Sequence, residues 1–177
     1  MKIKGYSEKV DKAIEFATKA HEGQFRFNST TPYVVHPIEV AEIVFTAGGD
    51  ESQICAGLLH DVVEDCEVEL STIEKEFGKD VAQLVDELTN KATLDMGNRA
   101  TRKQFENARI VKTSARAKMV KLADIMSNTR TINEAKPKFA RLYLTECLDR
   151  LEILQEGGPL CEKAAAMVKK ALSESKG

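Results

Sequence analysis

The run Leu58-Leu59-His60-Asp61-Val62-Val63-Glu64-Asp65 places four proton- or metal-handling side chains within six residues, behind an apolar lead that includes Ile54, Ala56, Leu58 and Leu59. In a helix, at about 100° per residue, His60, Asp61, Glu64 and Asp65 fall within an arc of about 140°. Leu59, Val62 and Val63 fall on the other side and can enter a core. An imidazole beside three carboxylates is costly to bury unless a cation neutralises them. The alternative is a solvated acidic helix end. The apolar residues that run up to His60 argue against it, because they draw the start of the cluster inward.

Working outward from this run, the chain reads as a series of helices. Ser7 can cap a first helix with Val10, Ile14 and Ala17 on one face, ended by Gly23. Residues 24–35 read as a loop on their Asn, Ser, Thr and Pro content. His36-Pro37 opens a second helix, stopped by Gly48-Gly49, and Asp50 or Ser52 caps the third, which carries the opening run. Ser71-Thr72-Ile73-Glu74 has the form of a capping box for a short helix ending at Gly78, and residues 80–90 make the next. After a loop at 91–98 come a polar helix over about 99–112, one capped by Ser114 that runs to Ile132, and one opened by Pro137. Gly157-Gly158-Pro159 breaks that helix before a last one over about 159–173. No stretch alternates with period two over a useful length. The expectation is an all-α bundle of about eight to nine helices in one domain spanning residues 1–177.

Composition limits the function classes. With 26 Lys and Arg against 28 Asp and Glu, no basic stripe suggests a nucleic-acid surface. No apolar run is long enough for a membrane span, and the N-terminus lacks the apolar region of a signal peptide. Cys55, Cys66, Cys147 and Cys161 form no CxxC and read as reduced thiols of a cytoplasmic protein.

The chain has only three histidines. His36 stands at a helix start, where its side chain can reach a neighbouring helix. His21, at the end of helix one, reads as a helix-terminal cation or a supporting group rather than a ligand. Val120-Lys121-Leu122-Ala123-Asp124-Ile125-Met126-Ser127-Asn128 puts Asp124 in an apolar helix, with Lys121, Asn128 and Thr131 on its face. Taken alone, Asp124 reads equally well as half of an ion pair with Lys121. Taken together, two His and two Asp offer a mixed N/O set suited to Mn, Fe, Zn or Mg, with no thiolate. Glu64 and Asp65 then have a task in orienting or deprotonating a water. The basic residues of 99–118 read either as a solvated face or as the lining of a polyphosphate entrance.

The order His36, His60-Asp61, Asp124 is the H…HD…D pattern of the HD phosphohydrolases. Ala20-His21-Glu22-Gly23-Gln24, Pro32-Tyr33-Val34-Val35-His36-Pro37, the opening run, Phe77-Gly78, and Lys121-Leu122-Ala123-Asp124 with Asn128-Thr129-Arg130-Thr131 resemble the hydrolase domain of RelA/SpoT proteins over about residues 6–155. The chain resembles the stand-alone small alarmone hydrolases of that family, the metazoan SpoT homologues among them. The resemblance implies a helical bundle that removes the 3′-pyrophosphate of ppGpp and pppGpp, usually with Mn²⁺. It implies metal ligation by His36, His60, Asp61 and Asp124, catalysis by Glu64 and Asp65, and substrate contacts from Arg26, Asn128, Thr131 and Tyr143. The implied partner is a small-molecule nucleotide, with no nucleic acid and no membrane, and a homodimer is compatible with the sequence. Two departures bear on the substrate. Phe25 and Phe27 flank Arg26 where the family is more basic, and Asp124-Ile125-Met126-Ser127-Asn128 stands where the family has Asp-Arg-Leu-His-Asn. A related nucleotide such as ppApp or NADPH is the alternative substrate, and a non-catalytic nucleotide-binding module the alternative class.

Overall fold

The computed structural model describes residues 2–175 and holds ten α-helices, nine of them eight residues or longer. Their order is α1 (Glu8–Ala20), α2 (Val35–Thr46), α3 (Glu51–Leu59), the single turn α4 (Val62–Asp65), α5 (Leu70–Phe77), α6 (Lys79–Leu88), α7 (Arg99–Ile110), α8 (Ala115–Ala135), α9 (Pro137–Ile153) and α10 (Leu160–Glu174). Among the described residues there is no strand. The loop before α2 carries one isolated antiparallel bridge, between Phe25 and Pro32.

Local chemistry sets most of the boundaries. The side chains of Ser7 and Ser114 accept from Val10 N and Ala117 N as helix caps. Of the two caps open for α3, Asp50 is the one used: it forms a reciprocal capping box with Gln53. The capping box expected at Ser71–Glu74 is absent. Glu69 is the extended residue before α5, so Ser71 already lies inside the helix and cannot cap it. Half-buried Leu70, packed against the core, accounts for the earlier start.

The opening run is not one continuous helix. The chain leaves α3 at His60 (φ −61°, ψ −29°) and turns at Asp61 (φ −99°, ψ −9°) before α4 begins. Asp61 thus sits in the sparsely populated bridge region, where active-site residues are often found.

The 21-residue α8 is the spine, about 30 Å long, and packs against α2, α3, α6, α9 and α10. The α2–α3 crossing is close: a Cβ on Gly57 would lie 3.1 Å from Ala41 Cα. Val40, Val44, Ile54, Leu58, Leu59, Val62 and Leu122 are fully buried around these contacts. Each such side chain stabilises the fold by about 1.5–3 kcal/mol. That offsets the cost of burying the polar groups on the same helices.

Candidate metal centre and active site

α2, the α3–α4 turn and α8 bring four predicted side chains to one point. His36 Nε2 lies 3.3 Å from Asp124 Oδ1 and 3.6 Å from Asp61 Oδ2. His60 Nε2 lies 3.1 Å from Asp61 Oδ2 and 3.9 Å from Asp124 Oδ1. One ligand atom each from His36, His60 and Asp124 falls within a mutual 4.8 Å. These three residues are only 2%, 4% and 8% exposed, so water does little to screen the cluster. The Lys121 pairing is also present, at 2.8 Å from Asp124 Oδ2. Asn128 Nδ2 donates to Asp124 Oδ1 at 2.6 Å. Asp124 therefore faces both Lys121 and the histidines.

The electrostatics follow from this crowding. Burial alone would lower His60, but the Asp61 and Asp124 carboxylates outweigh it and raise His60 to about 9. Burial would raise Asp61 and Asp124. His60 reverses this for Asp61, and Lys121 with the two histidines holds Asp124 well below the usual carboxylate range.

The donor set fits a divalent cation. His60 Nδ1 is 2.9 Å from the Gly57 carbonyl, which can only accept, so that nitrogen carries a hydrogen. His60 Nε2 is then left buried with no hydrogen-bond partner and faces two carboxylates. A lone pair aimed at anions needs a proton or a cation between them.

The predicted acidic pair divides between two partners. The Glu64 carboxylate accepts from Asn90 Nδ2 at 3.0 and 3.1 Å and from Asn90 N at 3.2 Å. Asp65 Oδ2 accepts from Tyr33 Oη at 3.3 Å, and the same hydroxyl donates to Asp61 Oδ2 at 2.7 Å. Partial burial, then Asp61 and Glu64, raise the Asp65 carboxyl. Burial, then Asp61, Asp65 and Asp124, keep the Tyr33 phenol protonated.

The predicted substrate residues lie on two cavities. Arg26 Nη2 donates to Asn128 Oδ1 at 3.0 Å and to Thr131 Oγ1 at 3.4 Å. These three, with His36 and Tyr33, line a cavity of about 590 Å³. Tyr143 lies instead on a cavity of about 340 Å³ with Glu64, Arg99, Arg102, Lys103 and Arg150. The basic segment splits accordingly. Arg99, Arg102 and Lys103 line that cavity, with Arg99 and Lys103 paired to Glu146 on its wall and Arg102 donating to Gly97 O. Arg109, Arg116 and Lys118 lie outside its lining and bind, in turn, Glu106 and Thr89 O, Asp50 with Asp80, and Glu156.

His21 is the C-cap of α1, as expected of a supporting group. Its Nδ1 lies 2.8 Å from Gln24 Oε1 and 3.1 Å from Cys66 Sγ. Sequence reasoning gave no role to Tyr33, Ser127, Glu39 or Asn90. Two were within reach of a spacing argument: Tyr33 and Glu39 each lie one turn from His36. Asn90 has no such signal, because its contact with Glu64 depends on how α4 meets the end of α6.

The match of a family profile described as HD domain covers residues 13–150. The Drosophila melanogaster guanosine-3′,5′-bis(diphosphate) 3′-pyrophosphohydrolase MESH1 is 40% identical over 134 residues, 74% of this chain and 73% of that protein. Homo sapiens MESH1 is 39% identical over 129 residues, 71% of this chain and 70% of that protein. A probable guanosine-3′,5′-bis(diphosphate) 3′-pyrophosphohydrolase of Synechocystis is 37% identical over 144 residues, but the chain spans only 19% of its length. Among solved structures, one described as a metazoan ortholog of SpoT that hydrolyzes ppGpp and plays a role in starvation responses superposes with a TM-score of 0.81. It is 30% identical and covers 95% of this chain and 96% of that one. The H…HD…D residues meet at one buried point in an all-helical fold, and the relatives that match over most of their own length are MESH1 proteins: the chain belongs to the HD-domain family, in its MESH1-like group.

Proposed function

We propose that this chain is a divalent-metal-dependent pyrophosphohydrolase that removes the 3′-diphosphate of (p)ppGpp, giving GDP or GTP and pyrophosphate. The observation that carries this reading is the orphaned, buried His60 Nε2, set among His36, Asp61 and Asp124 in a chain akin to MESH1. His36, His60, Asp61 and Asp124 would hold the ion, for which Mn²⁺ is our choice over Fe, Zn or Mg. When bound, such an ion supplies charge neutralisation at a phosphoryl oxygen and acidifies water.

The chain's own groups do the rest. Attack of water on the phosphorus bonded to O3′ breaks the P–O3′ bond, leaves pyrophosphate and returns a proton to the 3′-hydroxyl. Glu64 and Asp65 align that water and take its proton, and partial burial with neighbouring acids makes the Asp65 carboxyl a better proton acceptor than an ordinary aspartate. Tyr33, protonated, fixes the Asp65 and Asp61 oxygens relative to each other. Arg26, steadied by Asn128 and Thr131, offsets phosphate charge from one cavity, and Tyr143 with the cationic groups beside it binds from the other. We read residues 1–177 as one such hydrolase unit working on a small-molecule nucleotide in the cytoplasm. In keeping with this, the four cysteines are free, and among the described residues no helix is long and apolar enough to cross a membrane.

Single variants test the roles. Asp124→Ala and His60→Ala should lose both bound Mn²⁺, measured by metal analysis, and turnover of ppGpp. Glu64→Ala should keep the metal while kcat falls about 10²–10⁴-fold. Wild-type turnover in Glu64→Ala would overturn its role. Assays of ppGpp, ppApp and NADPH side by side fix the substrate, and a higher kcat/KM on either of the latter two would overturn the guanosine assignment.

A further inference from the structure

The two histidines of the centre are each held through the ring nitrogen away from the acids, but by different devices. His60 Nδ1 meets the Gly57 carbonyl, which fixes its tautomer outright. His36 Nδ1 meets Ser127 Oγ at 2.9 Å. A hydroxyl can donate or accept, so this contact alone leaves the His36 tautomer open. The next contact outward closes it. Ser127 Oγ lies 2.6 Å from Glu39 Oε2, and a carboxylate can only accept. The hydroxyl proton therefore points to Glu39, and its lone pair to a hydrogen on His36 Nδ1. The other Glu39 oxygen is taken by Arg130. His36 and Glu39 are three residues apart on α2, Ser127 and Arg130 three apart on α8, so the four form two rungs across the α2–α8 crossing. Ser127 is 1% and His36 2% exposed, so bulk water is not at hand to replace either contact.

We propose that Glu39 and Ser127 are positioning residues that act through His36. They lock its Nδ1–H tautomer and leave the Nε2 lone pair facing Asp61 and Asp124 for a divalent cation. The lock opposes a real competitor. In the other tautomer an Nε2–H would point toward Asp124 Oδ1, 3.3 Å away, and a hydrogen bond there would close the centre to metal. The inference rests on the ligand role proposed for His36.

The test uses the full chain and Mn²⁺ alone, with free ion counted by electron paramagnetic resonance near neutral pH and folding checked by circular dichroism. Ser127→Ala removes the acceptor, whereas Ser127→Thr restores it. Glu39→Gln keeps size and leaves Ser127 in place, but its amide N–H can donate to Ser127 Oγ. That frees the hydroxyl proton to turn onto His36 Nδ1. The expected result is a Kd for Mn²⁺ weakened about 10–100-fold in Ser127→Ala and Glu39→Gln, and near wild type in Ser127→Thr. Glu39→Gln also weakens the Arg130 rung, so Arg130→Gln, which breaks that ion pair but leaves Glu39 a carboxylate accepting from Ser127, is its control and should keep a Kd near wild type. A folded Glu39→Gln protein with a Kd within about twofold of wild type overturns the proposal, and it decides alone should Ser127→Ala not fold. Wild-type protein that binds no Mn²⁺ overturns the metal centre, and this lock with it. Mn²⁺ binding that survives in wild type without any ppGpp turnover overturns the proposed substrate only.

Discussion

Asn90 shows how much of a site depends on one side chain that no motif announces. It gives the Glu64 carboxylate a donor from its backbone and another from its side chain. Hydrogen bonds to charged groups contribute about 1.5–3 kcal/mol, and Glu64 is exposed, so the low end applies. Asn90→Ala should therefore lower kcat roughly tenfold with Mn²⁺ affinity unchanged; an unchanged kcat in steady-state assays would show that Glu64 needs no such clamp. His60 carries the pH dependence. Its metal-free value is raised to about 9, from an ordinary 6.5, and a cation needs the lone pair that the proton occupies. Mn²⁺ affinity should thus fall as pH drops below about 9, by up to roughly tenfold per unit, and level off above it. Calorimetric titrations across that range check this, and a flat profile would mean that His60 does not exchange a proton for metal. The residues that converge on the centre were legible because His, Asp and a fixed order carry a chemical signature. Ser127 and Asn90 were not, since each acts through a partner distant in sequence.

At the scale of elements, periodicity found the helices but not the turn that matters most. In an ideal helix His60 and Asp61 would diverge by about 100°. They converge because the chain relaxes out of helical geometry at Asp61, which lets neighbouring residues reach the same point. Leu-Leu-His-Asp-Val-Val has no Gly or Pro to mark such a break. The Ser71 signature failed for a related reason: a cap is decided by which residue is extended, and packing of Leu70 moved that residue to Glu69. Gly57 ties both lessons together, since it supplies the carbonyl for His60 and the space for α2. A methyl there would press on the Ala41 backbone at 3.1–3.3 Å. Gly57→Ala should cost about 1–3 kcal/mol in chemical denaturation and weaken Mn²⁺ binding, because α2 carries His36. Full stability with full metal affinity would mean that the crossing has slack.

For the whole molecule, the near-neutral charge conceals a local asymmetry. Arg26 lies on one cavity, and Arg99, Arg102, Lys103 and Arg150 on the other, beside a centre whose own carboxylates are balanced by Lys121 and a protonatable His60. Composition could exclude a basic stripe but could not reveal cations gathered at two cavities, because acids such as Glu146 and Glu134 line the same walls and cancel them in the sum. The all-helical architecture was legible from apolar spacing. The cavities were not, since they arise where α7 and α9, and the 24–35 loop and α8, leave space between them. The most direct measurement is product identification after incubating the metal-stripped protein with ppGpp, with and without added Mn²⁺. The expected result is GDP and pyrophosphate in equal amounts, only with the metal. Orthophosphate as the product, or intact ppGpp beside fully Mn²⁺-loaded protein, would contradict it.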